Sequence, residues 1–212
     1  MNNIKSIKNI NGFPISVIIP LSEHRKDFFY KYTYPSILNN FSAEIIINSN
    51  NGTAPEKRNY GFDVSSQPYV FFCDDDIILP SDLLGKFYNI LKEQKNDIGY
   101  VYCGYKGIVL TNNHPIKGNF EIKSVPFDGE RLKRGNYIST MSLIKRDYFP
   151  RFDENLERFQ DWDLYLTMLN NGIKGKMVKN MDFMAFYMGN GITSNSNDYR
   201  IALQKIKKKH NL

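Results

Sequence analysis

Cysteine, tryptophan and histidine are scarce in this sequence, at two, one and three of 212 residues. Cys73 and Cys103 are too few for a disulfide framework or a zinc cluster, and both sit in apolar runs. They read as buried thiols of a reducing compartment. Long apolar runs are also missing, and none approaches the roughly 18–20 residues that cross a bilayer. The opening stretch MNNIKSIKNINGF has no uninterrupted apolar segment and no small-residue cleavage site, so it does not read as a secretory signal. Internal repeats and low-complexity linkers are absent, which leaves 1–212 as one expected domain. Lysines and arginines are not interleaved with aromatics in any nucleic-acid-binding pattern, so nucleic acid is not an expected partner. These absences together predict a cytoplasmic globular protein.

What is abundant is aromatic and mildly basic: 15 Phe, 14 Tyr and a net charge of +6. Much of that charge lies in ERLKRG (130–135) and KIKKKH (205–210). The tail 198–212 reads as a solvated, frayed end, with contact to an anionic membrane surface as the other reading. ISVIIP (15–20), AEIIINSNNG (43–52) and YVFFCD (69–74) are short β-branched or aromatic runs, the pattern of buried strands. APEKRNYGFDVSS reads as a helix with Pro55 in its first turn. Leu83, Leu84, Phe87, Ile90 and Leu91 repeat as an amphipathic helix does. KDFFYKYTYPSILNNF has helical spacing that Pro35 should break. GYVYCGYKGIVL (99–110) is a strand or a strand pair. Residues 112–137 read as a surface excursion, YISTMSLIKRDYF as one more strand, and FQDWDLYLTMLNNG as a helix stopped by Gly172. Strand and helix alternating in this way predict an α/β domain with a mostly parallel sheet.

Three aspartates, Asp74, Asp75 and Asp76, follow the strongest strand directly. In open α/β sheets ligands bind beyond the carboxyl ends of strands. Alternate residues of extended backbone point the same way, so Asp74 and Asp76 converge and Asp75 points elsewhere. Two converging carboxylates suit Mn²⁺ or Mg²⁺, hard cations that accept oxygen ligands and carry phosphates. Aspartates ahead of a helix also serve as caps, but PSD (80–82) is expected to fill that role here.

ISVIIPLSE, EIIINSNNGT, EKRNYGFDVSSQPYVFFCDDDIILPSDLL and ENLERFQDWDLYLTML stand in the order of the family 2 glycosyltransferases, which this sequence resembles over roughly residues 15–175. The block 57–84, followed about 80 residues later by QDWDLYL, carries most of the likeness. The resemblance implies a single GT-A domain, with a nucleotide-binding half at about 15–110 and an acceptor half at about 111–190. It implies inverting transfer of a sugar from a nucleotide-diphosphate sugar to a hydroxyl of a glycan or lipid-linked acceptor. By position, Pro20, Ser22, Glu23, Asn48, Asn50, Arg58, Asp74 and Asp75 would face the nucleotide and donor. Asp76, with Asp74, would hold the metal that bridges the donor's phosphates. Asp161 would be the base, with Trp162 and Asp163 on the acceptor side. Asp161 also lies near the start of its helix, where the dipole favours an ionised carboxylate.

Departures from the family pattern matter too. NSNNG lacks the aspartate that usually reads the base, and none of His24, His114 or His210 is placed to add a metal ligand. The segment 188–197, rich in glycine and small polar residues, has the composition of a lid. Two other readings stay open. One is a nucleotidyltransferase on a similar sheet, disfavoured because PLSEHRKD has no glycine. The other is a non-catalytic nucleotide-sugar or glycan-binding module, kept alive by the altered turn.

Overall fold

The structure, a computed structural model, describes residues 3–95, 97–111, 118–188 and 197–212. Its centre is β2 (Phe13–Pro20), flanked in parallel by β3 (Ser42–Asn48) and β4 (Tyr69–Phe72). The opening residues, unassigned in the sequence reading, form β1 (Ile4–Lys8), antiparallel to β3 at the sheet edge. The rest of the sheet is β9 (Leu143–Lys145), β6 (Ile98–Tyr102) and β10 (Lys174–Met177), in the order β1-β3-β2-β4-β9-β6-β10. β9 runs antiparallel between β4 and β6, while β10 pairs with β6 in parallel. Five of these seven strands therefore share one direction, as expected for a mostly parallel sheet.

Side-chain alternation explains why both faces are covered. Ile15, Val17 and Ile19 of β2, Phe71 of β4 and Val101 of β6 join one buried cluster. Ile18, Val70, Phe72, Tyr100 and Tyr102, one step out of phase, join the other. The first cluster is closed by α2 (Tyr34–Leu38), α4 (Leu83–Leu91) and a second sheet. That sheet has the order β5-β11-β7-β8, from β5 (Ile77–Ile78), β11 (Phe183–Tyr187), β7 (Tyr105–Val109) and β8 (Phe120–Ile122). Opposite lie α3 (Ala54–Val64), α5 (Gly129–Arg134), α6 (Gln160–Asn170) and α7 (Asn197–His210). GYVYCGYKGIVL is thus a strand pair split between two sheets, and the excursion 112–137 contains β8 and α5.

Other local readings meet the structure in detail. Thr53 and Glu56 form a reciprocal capping box at the start of α3, with Pro55 in its first turn. The Pro35 break takes the form of α1 (Lys26–Phe28), one π-helical turn over Phe29–Thr33, then α2. Widening the helix one turn before the proline relieves the clash of its ring with the carbonyl four residues back. The PSD cap is a correction. Asp82 is left-handed at φ 64° and makes no side-chain capping bond. Instead the amide of Leu84 donates to Asn40 Oδ1 at 3.0 Å. Gly172 ends α6 as expected, at φ +77°.

The tail is a second correction. It is not frayed: α7 buries Ala202 and Ile206. Lys209 Nζ lies 2.7 Å from Asp153 and 2.9 Å from Asp163, and His210 Nε2 lies 2.7 Å from Asp163 Oδ1. Lys209, one of the residues that make the tail basic, is thereby paired with the buried Asp163, and His210 reaches the same carboxylate.

Gly61 marks the closest approach of α3 to the sheet, since a Cβ there would run into the Ile18 side chain. Gly61→Ala should therefore lower the urea midpoint by the equivalent of about 1–3 kcal/mol, the usual cost of overpacking a filled core. An unchanged midpoint would mean that α3 is free to lift from β2.

Candidate active site

A cavity of about 440 Å³ opens at the carboxyl ends of β2 and β4, the position expected for a ligand site in an open α/β sheet. Its wall includes Pro20 at the end of β2, Ser22 and Arg25 just beyond it, Arg58 on α3, the three aspartates after β4, and Asp161 on α6. Ser139, Thr140 and Met141 before β9 complete one side; Tyr105, Phe186 and Tyr187 of the smaller sheet complete another.

Two arginines take up the three carboxylates, and the pair drawn onto one cation is Asp75 with Asp76 rather than the Asp74 and Asp76 that strand alternation predicts. Asp75 is turned inward, 2% exposed. Its Oδ2 accepts the Ser22 amide at 2.7 Å and its Oδ1 accepts from Arg25 Nη1 at 2.8 Å. The same Nη1 lies 2.9 Å from Asp76 Oδ2. Burial works against the Arg25 charge, but Asp76 and Asp75 outweigh it and hold the guanidinium more firmly protonated than usual. Asp74 Oδ1 accepts from Arg58 Nη2 at 2.6 Å. Arg58 also donates from Nη1 to Gln160 Oε1 at 2.8 Å and lies over the Phe152 ring at 5.1 Å. One buried arginine thus ties α3, the acidic turn and the first turn of α6 together.

Asp76 remains electrostatically hungry. Burial lifts its carboxyl to about 7 against the pull of Arg25, with Asp74 and Asp75 adding to the rise. This is the field a divalent cation would relieve, and the oxygen-only chemistry of Asp76 and Asp74 fits Mn²⁺ or Mg²⁺. The fit is sparse: among the described residues no group of three acidic, histidine or cysteine side chains converges. Such an ion would need the ligand's own oxygens.

Across the cavity, Asp161 occupies the second position of α6. Its Oδ1 accepts the Trp162 amide at 2.9 Å, so it satisfies a first-turn donor that Phe159, left-handed at φ 60°, leaves uncapped. The helix dipole does not decide its charge. Burial raises the Asp161 carboxyl above its ordinary value, and the Trp162 amide, Arg58 and Asn136 pull it back without cancelling the effect. A carboxylate in that state is a stronger proton acceptor than a solvated one.

Several candidates lie elsewhere. Trp162 is 3% exposed and donates Nε1 to Leu132 O at 2.7 Å, so the apolar stripe claims it for the core. Asp163, at 2% exposure, is taken up by Lys209 and His210, and neither residue lines the cavity. Glu23 is 78% exposed, paired with Lys26 away from the wall. Asn48 is buried, with Nδ2 donating to Lys57 O and Oδ1 accepting the Asn50 amide. Asn50 Oδ1 accepts the Asn3 amide and so fastens the start of β1. The segment 188–197 falls, apart from its ends, outside the described residues. Arg25, Ser139, Tyr105 and Tyr187 are wall residues that sequence reasoning missed. Arg25 had a usable signal, being the first arginine after the first central strand; Tyr105 and Ser139 lie in segments read as strands, where nothing local marks a wall residue.

The sequence profile of Glycosyl transferase family 2 matches residues 30–152, more than half of the chain. The chain belongs to glycosyl transferase family 2. Solved structures of S. aureus TarS, residues 1–349, share the family fold at TM-score 0.63 and 13% identity, covering 91% of this chain and 64% of theirs. TarS in complex with UDP-GlcNAc matches at TM-score 0.67 and 14% identity, covering 91% and 65%. TarS in complex with UDP matches at 0.63 and 13%. This family 2 chain spans just under two thirds of those TarS chains. No curated protein matches it. No helix among the described residues is long and apolar enough to cross a membrane.

Proposed function

We propose that the chain transfers a sugar from a nucleoside diphosphate sugar to an acceptor hydroxyl, on a glycan or a lipid-linked carrier, with inversion at the anomeric carbon. The observation that carries this is the pairing, on one cavity, of an acidic turn short of positive charge with a solitary carboxylate of raised proton affinity. Two buried polar atoms without a protein partner, Arg58 Nε and Ser139 Oγ, belong to residues of the same wall. Such orphans call for a polar ligand.

In this reading Asp74 and Asp76 would hold Mn²⁺ or Mg²⁺ against the donor's diphosphate. When bound, that ion supplies Lewis-acid stabilisation of the charge growing on the leaving diphosphate. Arg58 keeps Asp74 oriented by its 2.6 Å bond and keeps Gln160, next to the base, in register. Asp161 accepts the proton of the attacking hydroxyl at its carboxylate. Inversion follows from direct displacement, with the hydroxyl entering opposite the departing phosphate. TarS being solved with UDP-GlcNAc and with UDP supports a nucleotide-sugar donor. Cytoplasmic placement belongs to the same proposal, and contact with an anionic membrane would run through the outward Lys205, Lys207 and Lys208 of α7.

The test is release of nucleoside diphosphate from UDP-, GDP- and dTDP-sugars with Mn²⁺ or Mg²⁺. Asp76→Ala should cut the release by at least about 10²-fold, the scale of a lost electrostatic stabiliser. An Asp76→Ala protein as fast as the parent would defeat the proposal.

A further inference from the structure

Arg25 stands where cation chemistry is expected, and nothing in the activity above uses it. Its Nη1 alone bridges Asp75 Oδ1 at 2.8 Å and Asp76 Oδ2 at 2.9 Å. It belongs to a one-turn helix, Glu23–Arg25, directly after β2, and lines the cavity with its side chain 19% exposed. Ser22, three residues earlier, gives its amide to the other oxygen of Asp75. The loop therefore grips the acidic turn at two points, one a neutral amide and the other a full positive charge. The second arginine of the wall is more deeply committed: Arg58 is 7% exposed and anchored to both Asp74 and Gln160. Arg25 is held by carboxylates on a short surface segment.

We propose that Arg25 is a resident counter-cation of the acidic turn, which keeps a bare divalent ion out and passes its guanidinium to the diphosphate when ion and nucleotide enter together. This rests on the reading of the cavity as a nucleoside diphosphate site. The physical case is a conflict of charge. A divalent ion on Asp76 would sit within a few ångströms of the guanidinium, where like charges repel strongly in a partly buried site. A diphosphate removes the conflict, because its oxygens accept from arginine's planar fork and coordinate the metal as well. Ion and nucleotide should then each tighten the binding of the other by the same factor.

Mn²⁺ binding, followed by loss of the free-ion paramagnetic resonance signal, reads this without any turnover. Alone, Mn²⁺ should bind Arg25→Met at least about tenfold more tightly than wild type, since 1.4 kcal/mol of relieved repulsion is a factor of ten. Arg25→Lys should keep the weak wild-type affinity, because it keeps the charge. Arg25→Gln, which removes the charge but keeps a donor for Asp75, should behave as Arg25→Met and serves if that variant melts low. At saturating Mn²⁺, whichever of UDP, GDP and dTDP binds wild type most tightly should lose about tenfold affinity in Arg25→Met. The guard role is overturned if Mn²⁺ alone binds both charge-removing variants no more tightly than wild type, or binds none of the proteins. Unchanged nucleotide affinity overturns the handover to phosphate. Sugar transfer measured separately on wild type distinguishes either failure from failure of the glycosyltransferase assignment.

Discussion

Asp161→Asn should lower turnover by about 10²–10⁴-fold, the range that a positioned base contributes, with little change in KM for the donor. The fold should not suffer. The amide oxygen of Asn can still accept the Trp162 amide that Asp161 Oδ1 accepts at 2.9 Å. The sign of the charge effect also favours the variant. A carboxyl whose proton affinity is raised on folding binds more protons in the native state, so its contribution to stability falls as pH rises through the window above 3.8. At neutral pH this partly desolvated charge is a cost, and asparagine removes it. The thermal midpoint should therefore hold or rise while diphosphate release collapses. In wild type the acid limb of kcat/KM should lie above the ordinary aspartate value. Asp76, raised to about 7, adds a limb of its own. More Mn²⁺ should move the Asp76 limb down, because metal competes with the proton there, and should leave the Asp161 limb in place. A fast Asp161→Asn enzyme would remove Asp161 from the chemistry.

Arg58→Met should damage stability and turnover together. Methionine keeps much of the stem that lies over Phe152, but it abandons Asp74 and the buried Gln160 Oε1. An orphaned buried acceptor costs about 1–3 kcal/mol. Asp74, with 30% of its side chain exposed, regains some water and adds less than a fully buried carboxylate would. The urea midpoint should fall accordingly, and kcat should drop by more than about tenfold, because the acidic turn and the base's helix lose their common tether. Arg58→Lys should not rescue either, since one ammonium cannot span both acceptors as the guanidinium fork does. A double-mutant cycle with Asp74→Asn measures the Asp74 share. A variant that loses stability but keeps kcat would reduce Arg58 to a brace.

The core was legible because its signals are local. The β-branched run ISVIIP, the Pro55 helix start and the amphipathic spacing of Leu83–Leu91 each depend on neighbours a few residues away. The cavity wall was legible at Asp74–Asp76 from a strand end and at Asp161 from the family resemblance. What failed involves long-range pairing. Asp163 looks available until Lys209 and His210, some 46 residues later, are folded against it. Asn50 looks like a ligand residue until Asn3 reaches it. Asp82 had the composition of a cap, but its left-handed backbone aims it elsewhere and Asn40 supplies the missing acceptor. Charge compensation of the aspartates hides for the same reason, because Arg25 lies 50 residues upstream.

The division of the strands between two sheets has a mechanical meaning. Asp76 is stitched to the smaller sheet, its carbonyl accepting the Phe186 amide at 3.0 Å, whereas Asp161 rides on a helix packed against the larger one. The two sheets part company at Gly104, between Tyr102 and Tyr105, where a methyl group would strike the Ile122 carbonyl. In the proposed reaction the leaving group would thus be steadied from both sheets, with Arg58 carrying that alignment across to the helix of Asp161.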